Sequence, residues 1–214
     1  MQFIDVHTHA STFHSEVFSI ENKYPNSTDF SKPFSIGIHP WYISEKTLQN
    51  DLTSIEKHIT SENCYALGEC GLDKITKIDF SIQLYAFKQQ IQLSEKYKKP
   101  LIIHCVKAYQ EIIQLKKEIK PKLPWIVHGF NKNHQIALDL IKHNIYISFG
   151  KSILKNENLQ QVFSKTPVNY IFLETDDKDI SIQDVYKKAS ETKNLELQTL
   201  TNNIRKNFNR IFKI

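Results

Sequence analysis

Phe3-Ile4-Asp5-Val6-His7-Thr8-His9 is the stretch on which the reading of the fold turns. Residues 2–6 are mostly apolar and β-prone, which predicts a short buried strand. It runs into His7 and His9, and side chains two apart on a strand point the same way. Both imidazoles therefore leave the strand end on one face, close enough to share a metal ion. An H-x-H pair alone is weak. It gains force because further metal-type residues stand at the ends of later strand-like runs.

Eight such runs are expected, over 2–6, 16–20, 34–38, 66–70, 101–105, 125–129, 145–149 and 170–175. Most are continuous apolar runs, as strands covered on both faces require. Helical spacing separates the later ones. Phe80, Leu84, Phe87 and Ile91 define an apolar stripe, Ser44 and Asp79 are candidate N-caps, and residues 195–212 read as a last helix. Strands alternating with helices imply parallel β/α units, and eight of them imply a (β/α)8 TIM barrel with its active site at the strand C-termini. The barrel is trimmed. No helix pattern separates the first three strands, and residues 21–33, with two prolines, read as a loop. The five glycines, Gly37, Gly68, Gly71, Gly129 and Gly150, lie in or just after strand ends, where backbone turns or approaches a ligand.

The chain's 214 residues are expected to form one domain, 1–214. Its 40% hydrophobic and 24% charged content is that of an ordinary globular protein. Cys64, Cys70 and Cys105 are odd in number and lack a C-x-x-C spacing, which points to a reducing compartment. A strand at the very start leaves no room for a signal peptide. No apolar run approaches the ~20 residues of a membrane span. The expectation is a cytoplasmic protein with no membrane association and no obligate protein partner. The net charge of +5 is compatible with a phosphate-rich substrate.

Metal-type residues end five of the eight runs: His7 and His9, then Glu69, His104, His128 and Asp176. In a barrel these ends converge on one mouth. Four imidazoles and two carboxylates form a borderline N/O donor set, suited to Zn²⁺, Mn²⁺, Mg²⁺ or Ni²⁺. Six donors exceed one open catalytic zinc and suit two metals ~3.5–4 Å apart, with a carboxylate such as Glu69 able to bridge. His14, His58, His134 and His143 lie in polar stretches and read as surface residues. His39, in Gly37-Ile38-His39-Pro40-Trp41, faces the same mouth; it either positions substrate or packs beside Trp41. Cys70 and Cys105 directly follow ligands and so point away from the mouth.

At these residues the chain resembles the TatD family of metal-dependent hydrolases. The matching segments are Phe3 to His9, Gly37-Ile38-His39-Pro40, Gly68-Glu69-Cys70-Gly71-Leu72-Asp73, Pro100 to Cys105, His128-Gly129-Phe130 and Leu173-Glu174-Thr175-Asp176. The helix from Phe87 to Lys99 and the closing Asn207 to Phe212 also look like the family. The resemblance implies that His7, His9 and Asp176 hold one metal, that His104 and His128 hold a second, and that Glu69 bridges them. It also implies a nucleic-acid substrate, since the family is chiefly described as nucleases on DNA, with some members linked to removing D-amino acids from tRNA. Three departures stand out. Val106 and Lys107 replace the Arg that usually follows His-Cys. Asp177-Lys178-Asp179 replaces a small residue, Pro and an aromatic. The early helices are absent.

The expected chemistry is direct attack by a water made acidic by the metals. Asp176 is the candidate general base, His39 an orienting group, and Lys107 and Lys151 candidate phosphate contacts. The leading reading is a phosphodiesterase acting on DNA. An ester or amide hydrolase, such as a D-aminoacyl-tRNA deacylase, is the enzyme alternative. A metal-bound barrel that only binds nucleic acid is a third, which a two-metal donor set argues against.

Overall fold

The computed structural model describes residues 2–10 and 15–212. Eight strands follow in sequence: β1 (Phe3–Thr8), β2 (Val17–Lys23), β3 (Phe34–Ile36), β4 (Cys64–Asp73), β5 (Leu101–Val106), β6 (Trp125–Val127), β7 (Ile145–Phe149) and β8 (Ile171–Leu173). They are ordered in the sheet as in the chain. Helices α1 (Leu48–His58), α2 (Phe80–Tyr97), α3 (Tyr109–Ile119), α4 (His134–Lys142), α5 (Glu157–Lys165), α6 (Ile182–Lys193) and α7 (Leu197–Phe212) fill the later connections. Among the described residues no helix lies between β1 and β3. The fold is thus the expected (β/α)8 barrel class, trimmed at its start. Among the described residues no helix is long and apolar enough to cross a membrane. His14 lies outside the described residues.

The chain divides into two compact units, Glu21–Val127 and Met1–Ile20 with His128–Ile214. In the first, β3 to β6 pair in parallel and α2 packs on β4. Asp79 caps α2, accepting from the Ser81 and Ile82 amides at 2.8 and 3.4 Å. Lys98, with φ 55°, ends the helix in the left-handed region, and Pro100 leads into β5. Gly68 and Gly71, at φ 148° and 140°, lie so near β5 that a Cβ would strike the Ile102 and His104 carbonyl oxygens. Only glycine allows β4 and β5 this approach.

In the other unit β7 pairs with β8 in parallel. β1 and β8 are joined by a bridge between Thr8 and Asp176. The Tyr186 hydroxyl from α6 donates to the Ile4 carbonyl at 3.0 Å and accepts from the Ile4 amide at 3.2 Å. The Asn207 amide from α7 donates to the carbonyls of Val168 and Ile171 at 2.8 and 2.9 Å. Polar side chains thus complete backbone pairing that neighbouring strands leave open.

Three expectations need correction. Residues 21–23 are strand, not loop: Glu21, Asn22 and Lys23 pair with Phe34, Ser35 and Ile36. Their polarity is accommodated because Lys23 Nζ meets Glu21 Oε1 at 2.6 Å and Asn22 Oδ1 accepts the Glu69 amide at 2.8 Å. Ser44 does not cap α1; its carbonyl starts a turn to Thr47, the residue before the helix. The buried face of α2 holds Phe87 and Ile91 as expected, but Gln83 and Gln90 are buried with them and Phe80 and Leu84 only half-buried. The cysteines are buried and in no disulfide. Burial pushes the Cys64 thiol up to about 12 and the Cys70 thiol well above its ordinary value.

Lys116 of α3 holds its Nζ 4.8 Å from the centre of the Trp125 ring and donates to the Leu123 carbonyl at 3.2 Å. Burial lowers its pKa from 10.5 to about 8. The penalty on the charged form is full below that value and is relieved as pH climbs toward 10.5. Lys116→Met is expected to be more stable than the parent in urea unfolding at neutral pH, with the advantage shrinking in alkali. A less stable variant at neutral pH would contradict this.

Candidate metal centre

In the unit holding both termini, β1 delivers His7 and His9, the turn after β6 delivers His128, and the end of β8 delivers Asp176. Parallel pairing at the strand ends fixes Asp176: its amide donates to the His7 carbonyl and its carbonyl accepts from the His9 amide, both at 3.0 Å. Its carboxylate lies 3.6 Å from His7 Nε2 and 3.5 Å from His9 Nε2. The His7 and His128 rings sit 4.3 Å apart. His7, His128 and Asp176 offer ligand atoms within 4.8 Å of one another. Behind them, buried Glu174 accepts the Gly129 amide at 2.6 Å and stands 3.6 Å from His128 Nδ1. Its other oxygen, Oε2, is buried with no hydrogen-bond partner among the described residues. Asp5 accepts the Thr175 amide and hydroxyl at 3.0 and 2.7 Å. Burial nonetheless pushes its carboxyl up to about 7.

In the unit Glu21–Val127, β4 delivers Glu69 and Asp73, β5 delivers His104, and the residue before the Pro40–Tyr42 turn is His39. Glu69 Oε1 lies 2.9 Å from His104 Nδ1 and 3.2 Å from His39 Nε2. Asp73 Oδ2 lies 3.1 Å from His104 Nε2 and accepts from Trp41 Nε1 at 2.7 Å. Burial would raise the Asp73 carboxyl, but bonds from the Ile75 amide, Trp41 and His104 outweigh it and hold it below the ordinary range. The Trp41 amide donates to His39 Nδ1 at 3.1 Å, which leaves Nε2 to face Glu69. His39, Glu69 and His104 form a second group with ligand atoms within 4.8 Å.

Two buried glutamines position this group. Gln90 Oε1 accepts the Ile38 amide at 2.7 Å, and its Nε2 donates to the Ile38 carbonyl at 3.2 Å. Gln83 grips Asp73 likewise, at 2.8 and 3.1 Å. Seven residues apart, they lie on one face of α2.

Each group is a set of imidazole nitrogens and carboxylate oxygens held largely out of water, the donor chemistry of a borderline divalent cation. The residues therefore fit a metal. Of the residues singled out in the sequence, His7, His9, His128 and Asp176 come together in one unit, and His39, Glu69 and His104 in the other. His128 lies with its ring beside that of His7. His39 joins a ligand-type group. Lys107, with φ 54°, and Lys151 are exposed just after β5 and β7. His58, His134 and His143 are half-buried and belong to neither group. Asp73, Glu174, Asp5, Trp41, Gln83 and Gln90 carry roles here that local sequence does not announce. The signal for the glutamines was a polar residue recurring every seventh position on a helix that must bury that face.

A family model described as TatD related DNase matches residues 2–213. An uncharacterized metal-dependent hydrolase of Buchnera aphidicola subsp. Baizongia pistaciae is 29% identical over 197 residues, covering 84% of this chain and 74% of its own. A protein named as a candidate deoxyribonuclease, a TATDN1 homolog of Vairimorpha ceranae, is 31% identical over 161 residues, covering 73% of this chain and 56% of its own. The crystal structure of YJJV, a TatD homolog of Escherichia coli K12, matches with TM-score 0.81 at 20% identity over 99% of this chain and 98% of that one. This last likeness bears on the fold alone.

Gln90→Leu keeps the side chain's bulk and strands the Ile38 amide and carbonyl. Two buried backbone groups left unpaired should cost ~2–4 kcal/mol in urea unfolding. A loss below ~0.5 kcal/mol, the range of neutral surface changes, would show that the clamp does not hold the strand end.

Proposed function

Because this chain belongs to the family of TatD-related DNases, metal-dependent hydrolases, we propose that it is a phosphodiesterase acting on DNA. The observation that carries the reading is that each unit holds a largely buried donor group, His7, His128 and Asp176 in one and His39, Glu69 and His104 in the other. We assign one divalent ion, Zn²⁺, Mn²⁺, Mg²⁺ or Ni²⁺, to each, held by His7, His9, His128 and Asp176 in the first and by Glu69 and His104 in the second. Bound there, the ions supply charge to polarise a phosphoryl oxygen and make a water acidic. Asp176 takes that water's proton. Its side chain is 28% exposed, open to substrate, while its backbone is tied to β1. His39 orients a substrate oxygen through Nε2. Asp73 and Glu174 fix the rings of His104 and His128 and raise their basicity as donors. Lys107 and Lys151 bind flanking phosphates as point charges. The water oxygen bonds to phosphorus, the bond to the sugar oxygen breaks, and the proton taken up by Asp176 passes to that leaving oxygen.

A second reading, an ester or amide hydrolase such as a D-aminoacyl-tRNA deacylase, is favoured by the rim. Asp177, Lys178 and Asp179 line a cleft of about 570 Å³ with His9 and Asp176. Asp177 is ion-paired to Lys178. Such a rim suits a substrate amine better than a run of phosphates.

The test is hydrolysis by metal-stripped protein, resupplied with each ion in turn, of 3′-labelled single-stranded DNA and of a D-aminoacyl-tRNA. We expect metal-dependent DNA cleavage that falls at least ~100-fold in Asp176→Ala, the scale of a lost general base. Glu69→Ala should abolish it with the fold intact. Deacylation alone would favour the second reading, and full activity in either variant would contradict the assigned roles.

A further inference from the structure

Six large apolar side chains are exposed among the described residues, and two of them are adjacent: Trp41 at 53% and Tyr42 at 60%. Scattered exposed apolar residues are ordinary. These two are pinned. Trp41 is fixed by its Nε1 bond to buried Asp73, and its ring meets the His104 ring edge-on at 5.9 Å. Tyr42 meets the Tyr24 ring edge-on at 5.5 Å, and its amide donates to the His39 carbonyl at 3.0 Å. Both stand on the short turn Pro40–Tyr42, whose first residue has its φ locked by the proline ring.

Beside them opens a cleft of about 510 Å³ lined by Tyr24, Pro25, Tyr42 and His39, to which Asn26 and Asp51 add polar groups. A rigid, open aromatic face with hydrogen-bonding groups nearby suits a flat heteroaromatic ring with a polar edge. His39 belongs both to this cleft and to the group that includes Glu69 and His104. An occupant of the cleft is therefore the part of a substrate that flanks the hydrolysed bond.

We propose that Tyr42, with Tyr24 against it, forms a stacking subsite for an unstacked nucleobase of the substrate, seated in the cleft beside His39, whose ring Trp41 meets edge-on at 5.0 Å. The inference rests on the reading of the substrate as nucleic acid. Stacking on an aromatic side chain tolerates any base and makes a large share of affinity for unpaired strands. The subsite would thus set where the chain of phosphates enters without reading its sequence.

The probe is adenosine 5′-monophosphate, compared with ribose 5-phosphate, on the metal-loaded protein, read by tryptophan fluorescence. Trp125 is fully buried, so quenching by a ligand reports Trp41. We expect the nucleotide to quench and the sugar phosphate not to. Tyr42→Ala should weaken nucleotide affinity by ~5-fold or more, with Tyr42→Phe restoring it. Tyr42 is exposed, and unchanged melting of the alanine variant separates lost stacking from lost folding. Equal response to both phosphates, or unchanged affinity in Tyr42→Ala, would overturn the subsite. Nucleotide binding through Tyr42 in a protein that cleaves no DNA would overturn the functional reading alone. DNA cleavage by a protein that responds equally to the nucleotide and the sugar phosphate would overturn the subsite alone.

Discussion

Buried carboxylates facing buried imidazoles are the constraint around which each unit is arranged. Glu69, Asp73 and Glu174 are almost wholly out of water. Removing a carboxylate from solvent costs several kcal/mol even after relaxation. Hydrogen bonds recover part of this, as the amides of Ile75 and Gly129 and the indole of Trp41 show. The unpartnered Glu174 Oε2 marks where recovery stops. A divalent cation bound among the imidazoles would offset the remainder and would supply the chemistry proposed for the arrangement. Stability and function therefore meet at the same side chains.

Such groups need strand ends held in place, and short parallel strands do not hold their own ends. β3, β6 and β8 have three residues each. The missing pairing comes from side chains that imitate a neighbouring strand. Gln90 grips Ile38, Gln83 grips Asp73, Tyr186 grips Ile4, and Asn207 takes the carbonyls of Val168 and Ile171. The two glutamine clamps reach Ile38 and Asp73, beside His39 and at the end of β4, while Tyr186 and Asn207 hold the beginnings of β1 and β8. Helix packing is thereby converted into the placement of His39, His104 and the residues of β1. Catalytic groups need this, since a shift of ~1 Å can cost ~100-fold in rate.

Much of this was legible in the chain itself. Strand-end histidines announce themselves because apolar runs stop abruptly at His7, His104 and His128, and the parallel barrel class follows from strand-and-helix alternation. Asp79 was legible as a cap because N-capping is local chemistry. Less legible was whatever depended on distant partners. Asn22 looks like loop until its amide oxygen is found on the Glu69 backbone. Asp73 looks like a solvated turn residue until Trp41 and His104 are seen on its carboxylate. Gln83 and Gln90 join Phe87 and Ile91 on the buried face where Phe80 and Leu84 were expected, because the strand ends they face offer bare backbone rather than hydrocarbon. In each case local polarity pointed to solvent and tertiary hydrogen bonding decided otherwise.

The central claim is that each unit's histidine–carboxylate group is a cation site. It is tested most directly by counting ions bound to the metal-stripped chain in equilibrium dialysis against Mn²⁺ or Zn²⁺. The account predicts two ions per chain, one lost in His7→Ala and the other lost in His104→Ala, with both variants folded. No ion uptake, or uptake that neither replacement changes, would contradict it.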